Sequence, residues 1–109
     1  MAIHDGKKAP QLGEDWNPAD TDKVYMSWTT KLDGAAIMSS IWILPAGWTL
    51  DASEDDISVT IDGTLYADTN SATLSTTNTE GTHYIANRIT TDTGLTLERG
   101  FYVEVDNKL

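Results

Sequence analysis

The sequence contains no cysteine, which excludes disulfide bonds, thiol nucleophiles and thiolate metal ligands. Basic residues are also scarce, because 7 lysines and arginines stand against 17 acidic residues and give a formal net charge of −10. A chain of this charge repels nucleic acids and anionic lipid. We therefore expect no nucleic-acid or membrane partner, and we expect stability to come from packing alone.

Long apolar runs and helical periodicity are missing as well. No run approaches the ~20 apolar residues of a membrane span, and MAIHDGKKAP has no apolar region like that of a signal peptide. Strong helix formers never recur at the spacing of a helix. Short strands followed by turn signals recur instead, as in a β-sandwich or small barrel. At 109 residues, the chain is predicted to form one all-β domain with an arm at 1–22 and a sandwich at 23–109.

The clearest pattern is a β-hairpin at 83–105, HYIANRITTDTGLTLERGFYVEV. Two strand-like runs flank Asp92-Thr93-Gly94, and Gly94 can adopt the left-handed conformation of such a turn. Pairing Thr91 with Leu95 sets Arg88 opposite Glu98, Tyr84 opposite Tyr102 and Ile89 opposite Leu97. Favourable cross-strand pairs each add roughly 0.2–1 kcal/mol, so this register is preferred. Alternation also turns Asn87 and Arg99 inward, and we expect a bulge near Gly100 to relieve that conflict.

Other strands are predicted upstream, for a total of about seven or eight. Val24, Met26 and Trp28 alternate as one inward row. The run 36–44 is so continuously apolar that we expect a central strand, which Pro45-Ala46-Gly47 ends. Short strands are also expected at 57–61, 64–67 and 72–76, and the acidic residues 51–56 are expected to form a loop or an edge.

The arm at 1–22 is polar, and its bulky apolar residues beyond the first three are Leu12 and Trp16. A frayed terminus is the simpler interpretation. The alternative is that Trp16 anchors the arm to a neighbouring subunit, since a lone tryptophan in a polar tail is costly to leave in water.

Catalytic and metal-binding patterns are weak. His4 and His83 are far apart in sequence, and there is no GxSxG, HExxH or phosphate-binding glycine loop. Asp51, Glu54, Asp55 and Asp56 supply the oxygen ligands that Ca²⁺ prefers, but they lack the spacing of an EF-hand. A solvated acidic loop is the preferred interpretation. We predict no enzyme, no cofactor and no metal.

Four tryptophans, Trp16, Trp28, Trp42 and Trp48, offer a candidate sugar-stacking face. Trp28 and Trp42 follow inward patterns and are predicted to lie in the core. Trp48, after Pro45 and Gly47, is expected to be the most exposed. With Tyr25 or Tyr66 it would form the platform of a carbohydrate-binding module, an alternative of a different class.

From about Asp20 to Val105 the chain resembles a family of small virion proteins of tailed bacteriophages. The resemblance lies in four segments: ADTDKVYMSW, IWILPAGWTL, ATLSTTNTEG and, above all, YIANRITTDTGLTLERGFYVEV. The family is predicted to have an immunoglobulin-like fold, so the resemblance implies an immunoglobulin-like antiparallel β-sandwich. The arm at 1–22 and the segment 57–67 fit the family poorly.

The resemblance implies a non-enzymatic phage structural protein, and we expect a capsid decoration (cement) protein on the outer surface of the head. The expected partners are the major capsid protein or other virion subunits, with a homo-oligomer such as a trimer as a further expectation. Lys7, Lys8, Leu12 and Trp16 are the predicted contacts to the shell or a neighbouring subunit. A tail, neck or baseplate component is the alternative within the virion. Without a signal peptide, the protein is expected to be made in the host cytoplasm.

Overall fold

The computed structural model of the chain describes residues 2–5, 11–28, 32 and 34–106, with the side chains of 2–5 and 11–14 left out. The described residues form an all-β domain of two four-stranded sheets. Among them, no helix is long and apolar enough to cross a membrane. The strands are β1 (Ala2–Asp5), β2 (Gln11–Trp16), β3 (Thr21–Ser27), β4 (Ile37–Ile43), β5 (Trp48–Ile61), β6 (Thr64–Thr76), β7 (Gly81–Thr91) and β8 (Thr96–Val105).

The first sheet has the strand order β1-β3-β6-β5, and the second has the order β2-β8-β7-β4. The order of β3, β6, β5 and of β4, β7, β8 is that of strands B, E, D and C, F, G in constant-type immunoglobulin domains. Most pairs are antiparallel, as expected. The two amino-terminal strands are the exception, because β1 pairs with β3 and β2 pairs with β8 in parallel.

The predicted hairpin is confirmed as β7 and β8. Arg88 pairs with Glu98, Tyr84 with Tyr102 and Ile89 with Leu97. The Thr91 N–H donates to the Leu95 carbonyl over 2.8 Å, and Gly94 has the left-handed φ of 87° that the turn requires. The expected bulge near Gly100 is wrong, because the ladder runs without a shift from Gly81 to Thr90. Asn87 does point inward, and hydrogen bonds satisfy its side-chain amide, so no bulge is needed to turn it outward.

Side chains from both sheets fill one core between them. Burying an aliphatic or aromatic side chain contributes about 1.5–3 kcal/mol, so this cluster is the main source of stability. The predicted inward row of Val24, Met26 and Trp28 is confirmed, because all three side chains are buried in this cluster. The cluster comprises Trp16, Val24, Met26, Trp28, Leu32, Ile37, Trp48, Ala72, Leu74, Ile85, Ile89, Phe101, Val103 and Val105.

Two strand predictions need correction. The apolar strand β4 lies at the edge of its sheet, with only β7 beside it among the described strands. The continuous apolar character of β4 therefore did not indicate a central strand. Three of the large side chains of β4 remain exposed. The predicted short strands at 64–67 and 72–76 are parts of one strand, β6, and β5 extends through the acidic residues as an edge strand. Asp56 and Asp68 take positive φ angles, and Asp56 lies at a register shift in the long β5–β6 pair.

The predicted arm is not separate from the sandwich, because β1 and β2 are strands of the two sheets. Main-chain groups can form the hydrogen bonds of a ladder whichever side chains a segment carries. The polar segment 11–16 can therefore pair with β8. Trp16 is 2% exposed and packs edge-to-face on Trp48, with ring centroids 5.2 Å apart. Trp16 is therefore part of the core of its own chain, and its contact with a neighbouring subunit stays a prediction.

Because Trp16 lies in the core, Trp16→Ala should lower the free energy of unfolding by about 3–5 kcal/mol. Chemical denaturation followed by tryptophan fluorescence measures the change. Trp16→Phe keeps a ring against Trp48 and serves as the matched control, with a smaller loss expected. An alanine variant as stable as the parent chain would show that the segment before β3 does not contribute to the core.

Candidate functional site

The described part of the chain has no cluster of side chains suited to a metal ion. There, no group of three or more histidine, aspartate or glutamate side chains could hold a metal ion. An open groove beside the β7–β8 turn is lined by Leu32, Ala35, Leu95 and Leu97, with Asp92 as its carboxylate. That carboxylate accepts a hydrogen bond from the Ala36 N–H over 3.0 Å, so it fixes a loop.

One buried polar network is centred on Asn87. Its side-chain oxygen accepts hydrogen bonds from the Trp28 indole N–H and the Asn70 amide, both over 2.8 Å. Its amide nitrogen donates to Ser40 Oγ over 2.8 Å and to the Ile41 carbonyl over 3.0 Å. Every member of this network is neutral, so it has no group that could transfer a proton near neutral pH. We interpret it as a polar connection between the two sheets.

The network also reaches β5, because Asn70 Oδ1 accepts a hydrogen bond from the Asp56 N–H over 2.9 Å. Strands β6, β7, β4 and β5, together with Trp28 just after β3, are thus tied together at one level of the sandwich. Sequence reasoning placed Asn87 inward but did not identify its partners, since Ser40 and Asn70 lie in other strands and carry no local signal.

The acidic residues of β5 form an exposed edge of the first sheet. We call Asp51, Glu54, Asp55 and Asp56 the acidic edge, and all of them are exposed. Glu54 forms an ion pair with Lys23 over 3.1 Å, and this hydrogen bond raises the pKa of Lys23. The expectation of a loop or an edge is confirmed as an edge.

The outer face of the second sheet carries an apolar surface. Ile41 and Ile43 of β4, Tyr84 of β7 and Tyr102 of β8 are exposed there, and we call these residues the tyrosine face. The two tyrosine rings are tilted by 57° with centroids 5.2 Å apart.

Two small residues lie at the middle of this face, because Ile43 pairs with Ala86 and Ala86 pairs with Gly100. A Cβ on Gly100 would meet the Tyr84 ring and come within 2.6 Å of the Ile85 carbonyl oxygen. Glycine is thus what allows the Tyr84 ring to approach Gly100 of β8 closely.

A charged pair borders the tyrosine face. Arg88 binds Glu98 through its Nη2 atom over 2.8 Å and its Nε atom over 3.0 Å, as the register predicted. Both side chains are largely exposed, so the pair contributes at most about 1 kcal/mol.

The predicted sugar-stacking platform is not present. Trp48 is 8% exposed instead of being the most exposed tryptophan, because it packs between Trp16 and His83. Tyr25 is buried and Tyr66 is half-buried. These residues therefore do not offer the flat exposed rings on which a sugar would stack.

Two of the four predicted partner contacts, Leu12 and Trp16, lie on β2. Trp16 is buried, and Leu12 pairs with Tyr102 in the β2–β8 ladder. Lys7 and Lys8 lie outside the described residues. The surfaces that the structure does assemble, the acidic edge and the tyrosine face, were visible in sequence only as an acidic run and as separate strand residues.

Asn87→Ala should lower the free energy of unfolding by at least about 2 kcal/mol, because it leaves buried donors of Trp28 and Asn70 without an acceptor. Asn70→Ala and the double variant complete a mutant cycle. We expect a coupling of about 0.5–3 kcal/mol between two residues in direct contact. Strictly additive losses would show that the two amides do not act as one network.

Burial raises the pKa of the Tyr84 phenol, and Glu98 and Tyr102 raise it further. The folded chain then holds this proton at pH values where the unfolded chain has lost it, so stability should fall as the pH rises above about 10. When the phenolate band is titrated by ultraviolet absorbance, the Tyr84→Phe variant should lack the component that ionises at the highest pH. Tyr66→Phe is the control, and loss of the same component there would contradict the assignment.

Comparisons with known proteins give a fold but no family. No protein-family description matches the chain, and no curated protein matches it. A solved structure with a similar fold is that of the cysteine protease inhibitor EhICP2 from Entamoeba histolytica, with 14% identity, 96% coverage of each chain and a TM-score of 0.53. Because unrelated functions share folds, a likeness at this identity concerns the fold alone. The chain is thus an all-β two-sheet domain with a fold similar to that of this inhibitor.

Proposed function

We propose that the protein is a non-enzymatic structural component of a tailed-phage particle, and specifically a decoration protein bound to the outside of the head. The proposal draws on the resemblance between Asp20 and Val105 and on a net charge of −10, which suits an outer surface better than one facing packaged DNA. The partner would be the major capsid protein or another virion subunit.

The tyrosine face is the observation that carries the proposal. A contiguous apolar surface on a soluble domain commonly marks a contact with another protein. Tyrosines are enriched among the residues that dominate binding energy, since they bury a large area with few rotatable bonds. This face lies on the regular strands β4, β7 and β8, so its shape is set before binding.

The structure changes which residues are proposed to bind. The sequence pointed to the segment at 1–22, but β1 and β2 complete the sheets and Trp16 completes the core. We therefore assign binding to the tyrosine face. A chain starting at Lys23 would lack β1 and β2 and is therefore unsuitable for testing the function.

A tail, neck or baseplate component would use the same kind of surface, so it is retained as the alternative within the virion. A carbohydrate-binding module is not favoured, because the predicted platform residues Trp48 and Tyr25 are buried. The exposed Tyr84 and Tyr102 rings are tilted, whereas stacking on a sugar needs flat, coplanar rings.

The proposal is tested by cosedimentation of the purified protein with emptied, undecorated phage shells and, in parallel, with tails. Wild-type protein should be retained by shells. Ile41→Ser combined with Ile43→Ser should weaken retention tenfold or more, since burying one such side chain is worth about 1.5–3 kcal/mol.

The matched control replaces exposed leucines away from this face, Leu65→Ser combined with Leu95→Ser, and should bind like the parent chain. Retention by tails alone would favour the alternative position. Binding to neither particle would overturn a virion role.

A further inference from the structure

Among the described strands, none pairs with the outer edge of β4, and this edge has an unusual composition for an exposed strand. From Gly34 to Leu50 the chain has no charged residue, although its net charge is −10. Met38 is 68% exposed and Ile41 is 53% exposed. Natural edge strands are commonly protected by lysine, proline or inward charges, because an unprotected edge pairs with other strands. In the described strand β4, the one irregularity that would hinder pairing with another strand is the register shift between Ile37 and Ser39.

The acidic edge lies on the same side of the sandwich. Strands β4 and β5 are neighbours across the gap between the sheets. The amides of Asn70 and Asn87 link the Asp56 N–H to Ser40 and Ile41, which sets the two edges at one level. Packed sheets lie about 10 Å apart, close to the Debye length of ~8–10 Å at moderate salt. Charges on the acidic edge therefore act on any segment bound at β4.

This charge distribution favours some binding partners at the β4 edge over others. Pairing of β4 with β4 of a second copy would bring two acidic edges together, each on a chain of net charge −10. The repulsion opposes such a dimer. A cationic segment gains attraction from the same carboxylates, and among the described strands only β7 pairs with the main chain of β4.

We propose that the β4 edge binds an extended segment of a partner protein by strand addition, and that this segment alternates apolar residues with lysine or arginine. Main-chain hydrogen bonds supply affinity in this mode, and alternate side chains supply specificity. The apolar residues lie beside Ile41 and Ile43, and the cationic residues face the acidic edge. The inference does not depend on the virion role, because it concerns the chemistry of the segment.

A synthetic peptide of alternating valine and lysine is the probe, with the glutamate counterpart and an N-methylated valine–lysine peptide as controls. Amide shifts and hydrogen exchange of the full chain should change at Ile37–Ile43 with the lysine peptide. The glutamate peptide should bind more weakly, and the N-methylated peptide should not bind because it cannot donate to the strand.

Charge variants test the assigned attraction. Asp55→Asn combined with Asp56→Asn should weaken binding about two- to fivefold, as expected from exposed charge pairs of 0.2–1 kcal/mol, and should reduce the salt dependence. The matched control makes the same charge change beside β2, with Glu104→Gln combined with Asp106→Asn, and should bind like the parent chain. Unchanged thermal unfolding would verify that each variant is folded.

Three results would overturn the proposal. The first is perturbation by the peptide at another edge, or at none. The second is equal binding of the N-methylated peptide, since strand addition requires its amides. The third is a dimer, detected by sedimentation, in which the β4 amides are protected from hydrogen exchange. A second copy of the chain would then occupy the β4 edge. Loss of shell retention with intact peptide binding would instead reject the virion role alone.

Discussion

The side-chain amide of Asn87 is the constraint on which the two-sheet arrangement depends. It accepts from Trp28 and Asn70 of the first sheet and donates to Ser40 and Ile41 of its own. Apolar contacts between sheets are not directional, so they tolerate sliding. Hydrogen bonds in a water-free interior do not, because each lost partner leaves an unsatisfied polar group. The amide therefore fixes how one sheet lies on the other, while the surrounding core supplies the stabilisation.

Local sequence was sufficient where the structure is local. The register of β7 and β8 followed from the turn at Gly94 and from complementary pairs such as Arg88 and Glu98, all within one hairpin. The long β5–β6 hairpin was divided in prediction, because Asp56 and Asp68 adopt backbone angles that interrupt simple alternation.

Non-local features were not accessible in the same way. Whether an apolar strand such as β4 is central or at an edge depends on its neighbours, and its sequence does not encode them. Trp48 after a Pro-Ala-Gly turn suggested exposure, but Trp16, distant in sequence, covers it. The polar composition of 11–16 concealed a strand, since a ladder needs main-chain groups more than apolar side chains. The candidate surfaces were missed for the same reason, because each combines residues from separate strands.

The pairing of β2 with β8 has a consequence for how the chain reaches its final form. Strand β2 is synthesised before β3 to β7 but has β8 as its partner, so the second sheet stays incomplete until Val105 has emerged from the ribosome. Closing so long a loop is entropically costly and slows folding. During that interval Trp16 lacks its place among Val103, Val105 and Trp48. A stalled or shortened chain would therefore expose its most apolar segments, and such fragments are substrates for quality-control proteases and seeds of aggregation.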